Sequence, residues 1–408
     1  MTQLNPHLSH LTCTYCGQQY PLDEPMNLCP HDQRPVQMVY DTEAIKNTDW
    51  YHPERKDLWR FAGLLPISEG FVSLGEGHTP LLNHSDHPLA QAHGFELFIK
   101  DEGKGHPGYG QNPTLSFKDR GMAVVVNMAR HYGLSRLAVP TQGNAGDSLA
   151  YYANQMGLGA AIIMPDDTPM PIQGSVAALS FHNPDIELAM VQGTIKEAGV
   201  LMKEHYLPHG YFNVATFQEP GWRIDGKKTM GLELAEPNAL SDAWQLPDVI
   251  LYPTGGGTGI LGMWKAFDEL QGMGLIGAER PKVIAVQSSA TPPVAHAFEH
   301  DLFEPEPTDA GHTLAVGLNV AGGVGHFKVL EIIRQSGGGA LTIDEAAMAD
   351  HLRTTWQQHH WWLCPEGAAC LAALQPAVDA GLIQPSDQVV VFNTGSFEKY
   401  LPEVRHLL

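Results

Sequence analysis

From residue 95 onward the chain alternates between short apolar runs and longer amphipathic ones. Residues 95–100, 136–140, 160–165, 186–191, 211–215, 248–252, 282–287 and 388–393 read as strands. Residues 122–132, 144–156, 194–206, 228–235 and 259–270 read as helices. Several of the short runs, such as Val389-Val-Val-Phe392, are apolar at every position rather than at every second one. A strand of that kind hides both faces, which happens in a parallel sheet covered by helices on each side. The expected fold is therefore α/β, with mainly parallel sheets flanked by helices. No repeat of fixed period is present.

Composition narrows the function classes. A formal net charge of −21 argues against nucleic acid and anionic membrane surfaces, which both call for basic patches. No stretch approaches 18 uninterrupted apolar residues, and no basic-then-apolar leader opens the chain, so the expected location is cytoplasmic. Five Cys in 408 residues do not make a disulfide framework. Three of them, Cys13, Cys16 and Cys29, lie near the start, with Pro30-His31-Asp32 after the third. A CxxC followed by a CPxC knuckle would give four thiolates at zinc-ribbon spacing. Here the fourth position holds Asp32, with His31 beside it. A structural zinc site of Cys13, Cys16, Cys29 and Asp32 or His31 is one reading, and a metal-free turn of the same shape is the other.

Four stretches carry chemistry. The first is Asn112-Pro-Thr-Leu-Ser-Phe-Lys118-Asp-Arg-Gly121. A lysine that is partly desolvated, beside another cation such as Arg120, loses proton affinity and is in part a free amine near neutral pH. Such an amine forms a Schiff base with an aldehyde, the linkage used by pyridoxal phosphate (PLP). The plain reading is a charged cluster opening a helix. The second, Thr141-Gln-Gly-Asn144-Ala-Gly-Asp-Ser148, follows a strand and enters a helix. Asn144 there is either a helix N-cap or an amide donor to a phenolate-like oxygen. The third, Pro253-Thr-Gly255-Gly256-Gly257-Thr258-Gly259, lies in the same kind of place and suits a phosphate held by backbone N–H groups. It lacks the Gly-Lys-Ser/Thr ending of a nucleotide P-loop and the GxGxxG dinucleotide spacing. The fourth, Asn393-Thr394-Gly-Ser396, ends the last strand and places a hydroxyl where it can meet a pyridine nitrogen, or simply closes the strand with a polar turn.

Together these stretches resemble the PLP enzymes of the tryptophan synthase β-type fold, known as fold type II, and among them threonine synthase. The resemblance spans about residues 70–400 and also includes Gly75-Glu-Gly-His-Thr-Pro80, Gly226-Lys-Lys-Thr229 and Pro365-Glu-Gly-Ala-Ala369. It implies a zinc-ribbon-like segment over 1–45, a larger PLP-binding domain over 46–125 and 215–408, and a smaller α/β domain over 126–214. It implies Lys118 as the Schiff-base lysine and Asn144 as partner of the PLP 3′-oxygen. Gly255, Gly256, Gly257, Thr258 and Gly259 would hold the phosphate, and Thr394 would face the ring nitrogen. Arg223 is implied as a clamp on a substrate phosphate or carboxylate, unless it is a surface partner of Asp225 or Glu219, and Thr141 is counted with it as substrate-binding. Glu366 approaches the cofactor on the same grounds, or is an exposed loop carboxylate.

The implied reaction is conversion of O-phospho-L-homoserine and water to L-threonine and phosphate, by a homodimer. Three departures touch the substrate side. Leu115 stands where the family usually has Gly, Thr141-Gln-Gly143 replaces a Ser-rich lead-in, and Phe217-Gln-Glu-Pro-Gly-Trp222 lacks the expected Asn and Ser. They keep a second activity in view: β-elimination or β-replacement on a related amino acid, as in a hydroxyamino-acid ammonia-lyase or a cysteate synthase-like enzyme. His359-His360 beside Trp361-Trp362 reads as packing at a helix end, and Cys364 and Cys370 as buried thiols.

Overall fold

Two parallel sheets dominate the computed structural model, which describes residues 2–407. Each belongs to its own compact unit, one formed by residues up to Gly77 with Gly110–Thr229, the other by His78–Tyr109 with Met230 onward.

In the second unit six strands run in the order Gly339–Ile343, Lys282–Ser288, Val249–Pro253, Gln388–Asn393, Glu96–Asp101, Leu81–Asn83. All neighbours are parallel except the last pair. Every residue of Val249–Pro253 is buried, as the unbroken apolar run requires. Val249, Leu251, Val389, Val391 and Leu97 share one core with Ala369 and Leu371 of helix Pro365–Ala372. Full burial of each branched or aliphatic side chain contributes about 1.5–3 kcal/mol. Val249 pairs with Val389 and Leu251 with Val391, so Pro253 and Asn393 finish at the same edge of the sheet.

In the first unit four parallel strands run in the order Ile186–Val191, Gly159–Pro165, Arg136–Pro140, Phe212–Asn213. Helices Lys118–His131, Asn144–Met156, Met170–His182 and Ile195–Leu201 belong to this unit. A separate three-stranded antiparallel sheet, Gln19–Tyr20, Leu8–Cys13 and Val36–Tyr40, carries the N-terminal Cys pattern.

The expected elements differ mainly at their ends, but strand Gly339–Ile343 and helices His326–Gln335, Glu345–His359 and Pro365–Ala372 were not anticipated. The helix expected from 122 starts one turn earlier, at Lys118. The one expected from 228 starts at Trp222. Helix Met170–His182 was not anticipated, since its first residues are Met-Pro and its apolar residues follow no helical stripe. Residues 194–206 hold an α-helix only to Leu201, opened by a Thr194–Glu197 capping box, and widen into a π turn over Met202–Tyr206. No helix among the described residues is long and apolar enough to cross a membrane.

Candidate functional site

Lys118 is the first residue of its helix, and an internal lock sets its position. The buried Asp119 carboxylate accepts from the Thr114 N–H at 2.6 Å, the Thr114 hydroxyl at 2.7 Å and the Ser148 hydroxyl at 2.6 Å. One carboxylate thereby ties the Lys118 turn to the helix that begins at Asn144. Leu115, just before, has φ 55°. A side chain there costs about 1–2 kcal/mol relative to the right-handed region, which accounts for glycine being the residue to expect. The fully buried Arg120 does not serve as the neighbouring cation in the way its sequence position suggests: its guanidinium donates to Thr229 Oγ1 at 2.9 Å.

The cation that shares surroundings with Lys118 is Lys227. The Nζ atoms of Lys118 and Lys227 lie 4.5 and 4.8 Å from the centroid of the same ring, Phe117. A tight helix crossing brings them together. A Cβ on Gly226 would collide with the Arg120 carbonyl oxygen, and Gly121 sits against the Arg223 backbone. In the sequence Lys227 stands out only as part of Gly226-Lys-Lys-Thr229. Its i,i+4 spacing from Arg223 was the signal that could have singled it out.

Arg223 is 2% exposed, so it is no surface residue. Asp225 is taken by Lys228 in a buried ion pair at 3.0 Å. The Arg223 guanidinium donates from Nη1 to the Val214 carbonyl at 3.2 Å, while its buried Nε has no acceptor. Glu219 accepts from the Arg223 backbone N–H at 3.3 Å, and its other carboxylate oxygen is buried without a donor. Burial pushes the Glu219 carboxyl up to about 7, against the pull of Arg223. Burial likewise holds the Lys227 amine well below the ordinary lysine range, and the charges of Lys118 and Arg223 push it the same way.

Asn144 is not an N-cap. Gly143 occupies that position with no side-chain capping bond, and Asn144 is the first helical residue. The Thr141 hydroxyl accepts from the Gly143 N–H at 3.1 Å, so it stiffens this turn.

In the second unit the glycine loop leads into helix Thr258–Gly272, whose N-cap is Gly257 at φ 73°. A Cβ at Gly257 would collide with Val329. Gln287 donates to the Thr254 carbonyl at 3.0 Å, and His326 Nε2 lies 3.0 Å from the Gly255 carbonyl. Burial holds His326 down to about 4, so it is neutral and its Nε2–H is the donor. In a trans peptide the N–H points away from the C=O. Fixing these two carbonyls therefore aims the Gly255 and Gly256 N–H groups the opposite way, into an anion cradle at a helix N-terminus. Thr394 follows the neighbouring strand at the same sheet edge, with its hydroxyl 3.8 Å from Cys364 Sγ. Glu366 is buried rather than exposed, accepting from the Gly317 N–H at 2.9 Å and the Tyr400 hydroxyl at 3.1 Å. Each unit thus has a feature that PLP calls for: a lysine set at a helix start in the first, and backbone N–H groups at a helix N-terminus in the second.

The N-terminal cluster is equally definite. Ligand atoms of Cys13, Cys16, Cys29 and Asp32 all lie within 4.8 Å of one another, and His31 is not among them. Cys16 and Cys29 Sγ are 3.9 Å apart, and Cys13 Sγ is 3.4 and 3.5 Å from the two Asp32 oxygens. Tetrahedral zinc with thiolate bonds of about 2.3 Å needs ligand atoms spaced by about 3.8 Å, so the donor set fits. This module also braces the segment before Arg223. The Asn27 side chain donates to the carbonyls of Asn213, at 3.0 Å, and Gln218, and Lys228 Nζ lies 3.9 Å from the Tyr40 ring centroid.

The model of the family described as pyridoxal-phosphate dependent enzyme matches residues 72–395. Threonine synthase of Methanosarcina acetivorans is 28% identical over 96% of this chain and 92% of its own length. That of Methanocaldococcus jannaschii is 28% identical over 94% and 91%. Among solved structures, diaminopropionate ammonia lyase from Escherichia coli aligns with TM-score 0.66 at 19% identity, covering 82% of this chain and 88% of that one. A fungal L-serine ammonia-lyase from Rhizomucor miehei aligns with TM-score 0.64 at 20% identity, covering 81% and 97%. At those identities the structures speak for the fold alone.

Proposed function

The chain belongs to the pyridoxal-phosphate-dependent enzyme family, and from that premise we propose that it is a threonine synthase-like lyase acting on O-phospho-L-homoserine. The observation that carries this reading is the fully buried Arg223, whose Nε has no acceptor. A buried guanidinium with a donor to spare calls for an anion, and a substrate phosphate supplies one. The near full-length similarity to two threonine synthases supports it.

Lys118 would carry the cofactor, with Asn144 toward its 3′-oxygen, Gly255–Gly259 on its phosphate and Thr394 at its ring nitrogen. When bound, PLP supplies an electron sink for negative charge developing at the substrate carbons. Lys118 would be the base that takes the proton from Cα and hands protons on to the neighbouring carbons. Arg223 holds the phosphate as it leaves Cγ, and water adds at Cβ. Asp119 keeps the lysine turn and the Asn144 helix in register. Cys13, Cys16, Cys29 and Asp32 would hold a structural zinc, leaving it no open position for chemistry.

Glu219 favours a second reading. Its buried carboxylate beside Arg223 opposes a dianion once it ionises, which suits β-elimination or β-replacement on a less charged amino acid. The test is a screen of the PLP-loaded protein for phosphate and threonine released from O-phosphohomoserine. Parallel reactions with serine, threonine and O-phosphoserine are read for 2-oxo acids and for replacement by sulfite. Equal amounts of phosphate and threonine support the first reading. Turnover of the β-substituted amino acids alone replaces it with the second.

A further inference from the structure

We propose that Lys227 is a substrate-binding residue: its side-chain nitrogen and the Arg223 guanidinium together receive the anionic group of the substrate side chain. The identity of that group as a phosphate monoester rests on the reading above; the second nitrogen, and the proton it carries, go beyond it.

Position comes first. Lys227 stands four residues after Arg223 in helix Trp222–Ala235, so both project from one face. Lys227 also shares the Phe117 ring with Lys118, the amine that would carry the cofactor. It is therefore close both to the reacting carbons and to the guanidinium.

Charge balance points the same way. Burial, Lys118 and Arg223 all act against a charge on Lys227, while the Glu219 carboxylate acts for it. That carboxylate is itself half-protonated near pH 7, and both Glu219 and Arg223 keep a buried polar atom without a partner. A buried guanidinium with a donor to spare, set beside a second buried cation, costs less once an anion joins it. Without the anion, burial and the two neighbouring cations favour the neutral amine of Lys227. A dianion reverses that preference. Lys227 then takes one proton from solvent as the phosphate binds and returns it when the phosphate leaves. A monocarboxylate, with half the charge, has no comparable use for the second nitrogen.

The test uses the PLP-loaded full chain and titrates it calorimetrically with inorganic phosphate, and separately with acetate. Each titration is run in two buffers of different ionisation enthalpy, so that proton uptake is read directly. Wild-type protein is expected to bind phosphate at least tenfold tighter than acetate, with net uptake of protons. Lys227→Met, which keeps the bulk and removes a buried basic group, is expected to bind phosphate at least tenfold more weakly and to lose the uptake. Its visible cofactor band should be unchanged. Lys227→Arg, charged at every accessible pH, should recover most of the affinity without the uptake. Phosphate binding that is absent in wild type, no tighter than acetate, or equal in wild type and Lys227→Met overturns the proposal. Turnover assays keep the two ideas apart. If O-phosphohomoserine is not consumed while phosphate binding still depends on Lys227, the assigned reaction fails and the anion site stands. Turnover with phosphate binding indifferent to Lys227 has the opposite meaning.

Discussion

Lys100 and Glu233, 133 positions apart in sequence, form an ion pair at 2.7 Å with both side chains 2% exposed. The same carboxylate accepts from the His78 N–H at 2.6 Å and the Thr79 N–H at 3.2 Å. It therefore fastens the loop holding His78 and Thr79 as well as the lysine. Glu233→Ala strands a buried ammonium and two backbone donors, and the expected loss is about 3–5 kcal/mol. Lys100→Met, which leaves the carboxylate its two backbone donors, should cost less. Denaturant unfolding of the two variants checks the order.

Leu115 provides a test in the opposite direction. Its left-handed backbone stores about 1–2 kcal/mol. Glycine removes that strain but adds freedom to the unfolded chain worth about 0.4–1 kcal/mol. Leu115→Gly should thus leave the protein as stable or slightly more so. A clear fall in melting temperature would show that the leucine side chain contributes packing that outweighs its backbone.

The cluster of Cys13, Cys16, Cys29 and Asp32 yields a prediction with two readouts. Purified protein should contain about one zinc per chain, retained in His31→Ala and Asp32→Cys and depleted in Asp32→Ala, as measured by elemental analysis. Because Asn27 of the same module holds the Gln218 carbonyl ahead of Arg223, chelation should raise KM for an anionic substrate more than it lowers kcat.

Glu219 sets a pH dependence. Its carboxyl is raised to about 7 by burial, so it is largely neutral at pH 6 and anionic at pH 8. KM for an anionic substrate should rise over that interval, and Glu219→Gln should flatten the profile with a lower KM at pH 8. The stability effect has a definite sign. The folded state binds this proton more tightly than the unfolded one, so its contribution is fully present below the ordinary glutamate value and is lost as pH rises toward 7. Glu219→Gln should remove that part of the slope in pH-dependent unfolding.

The parts of the fold that could be read directly were those in which one physical demand dominates. Val389-Val-Val-Phe392 is apolar throughout and is buried throughout. The glycine loop lies where a strand hands over to a helix, and there it builds a backbone cradle. Lys118 announces itself by its motif, yet what holds it could not be read. Asp119 looks like part of a surface charge cluster and is a buried acceptor for two other turns. Arg120 stands beside Lys118 in sequence and turns to Thr229. Lys227 is over a hundred residues away and shares a ring with it. Neighbours in a packed site are chosen by helix crossings such as Gly226 on Arg120, and a crossing leaves only a glycine as its trace. The cysteine cluster was an intermediate case: spacing gave the three thiols with Asp32 in the fourth place and left His31 as an alternative, and the structure groups Asp32, not His31, with them.

The strand order of the larger sheet also has a bearing on biosynthesis. Gln388–Asn393 lies between Val249–Pro253 and Glu96–Asp101, and it is the last of the six to leave the ribosome. Until it emerges, two apolar strand edges made much earlier have no partner. Nascent chains therefore carry an open gap in the middle of the sheet from the synthesis of Pro253 until that of Asn393, the condition in which exposed edges pair with the wrong chain. Chaperone dependence during synthesis should accordingly track how long residues 388–393 are delayed rather than the stability of the finished protein.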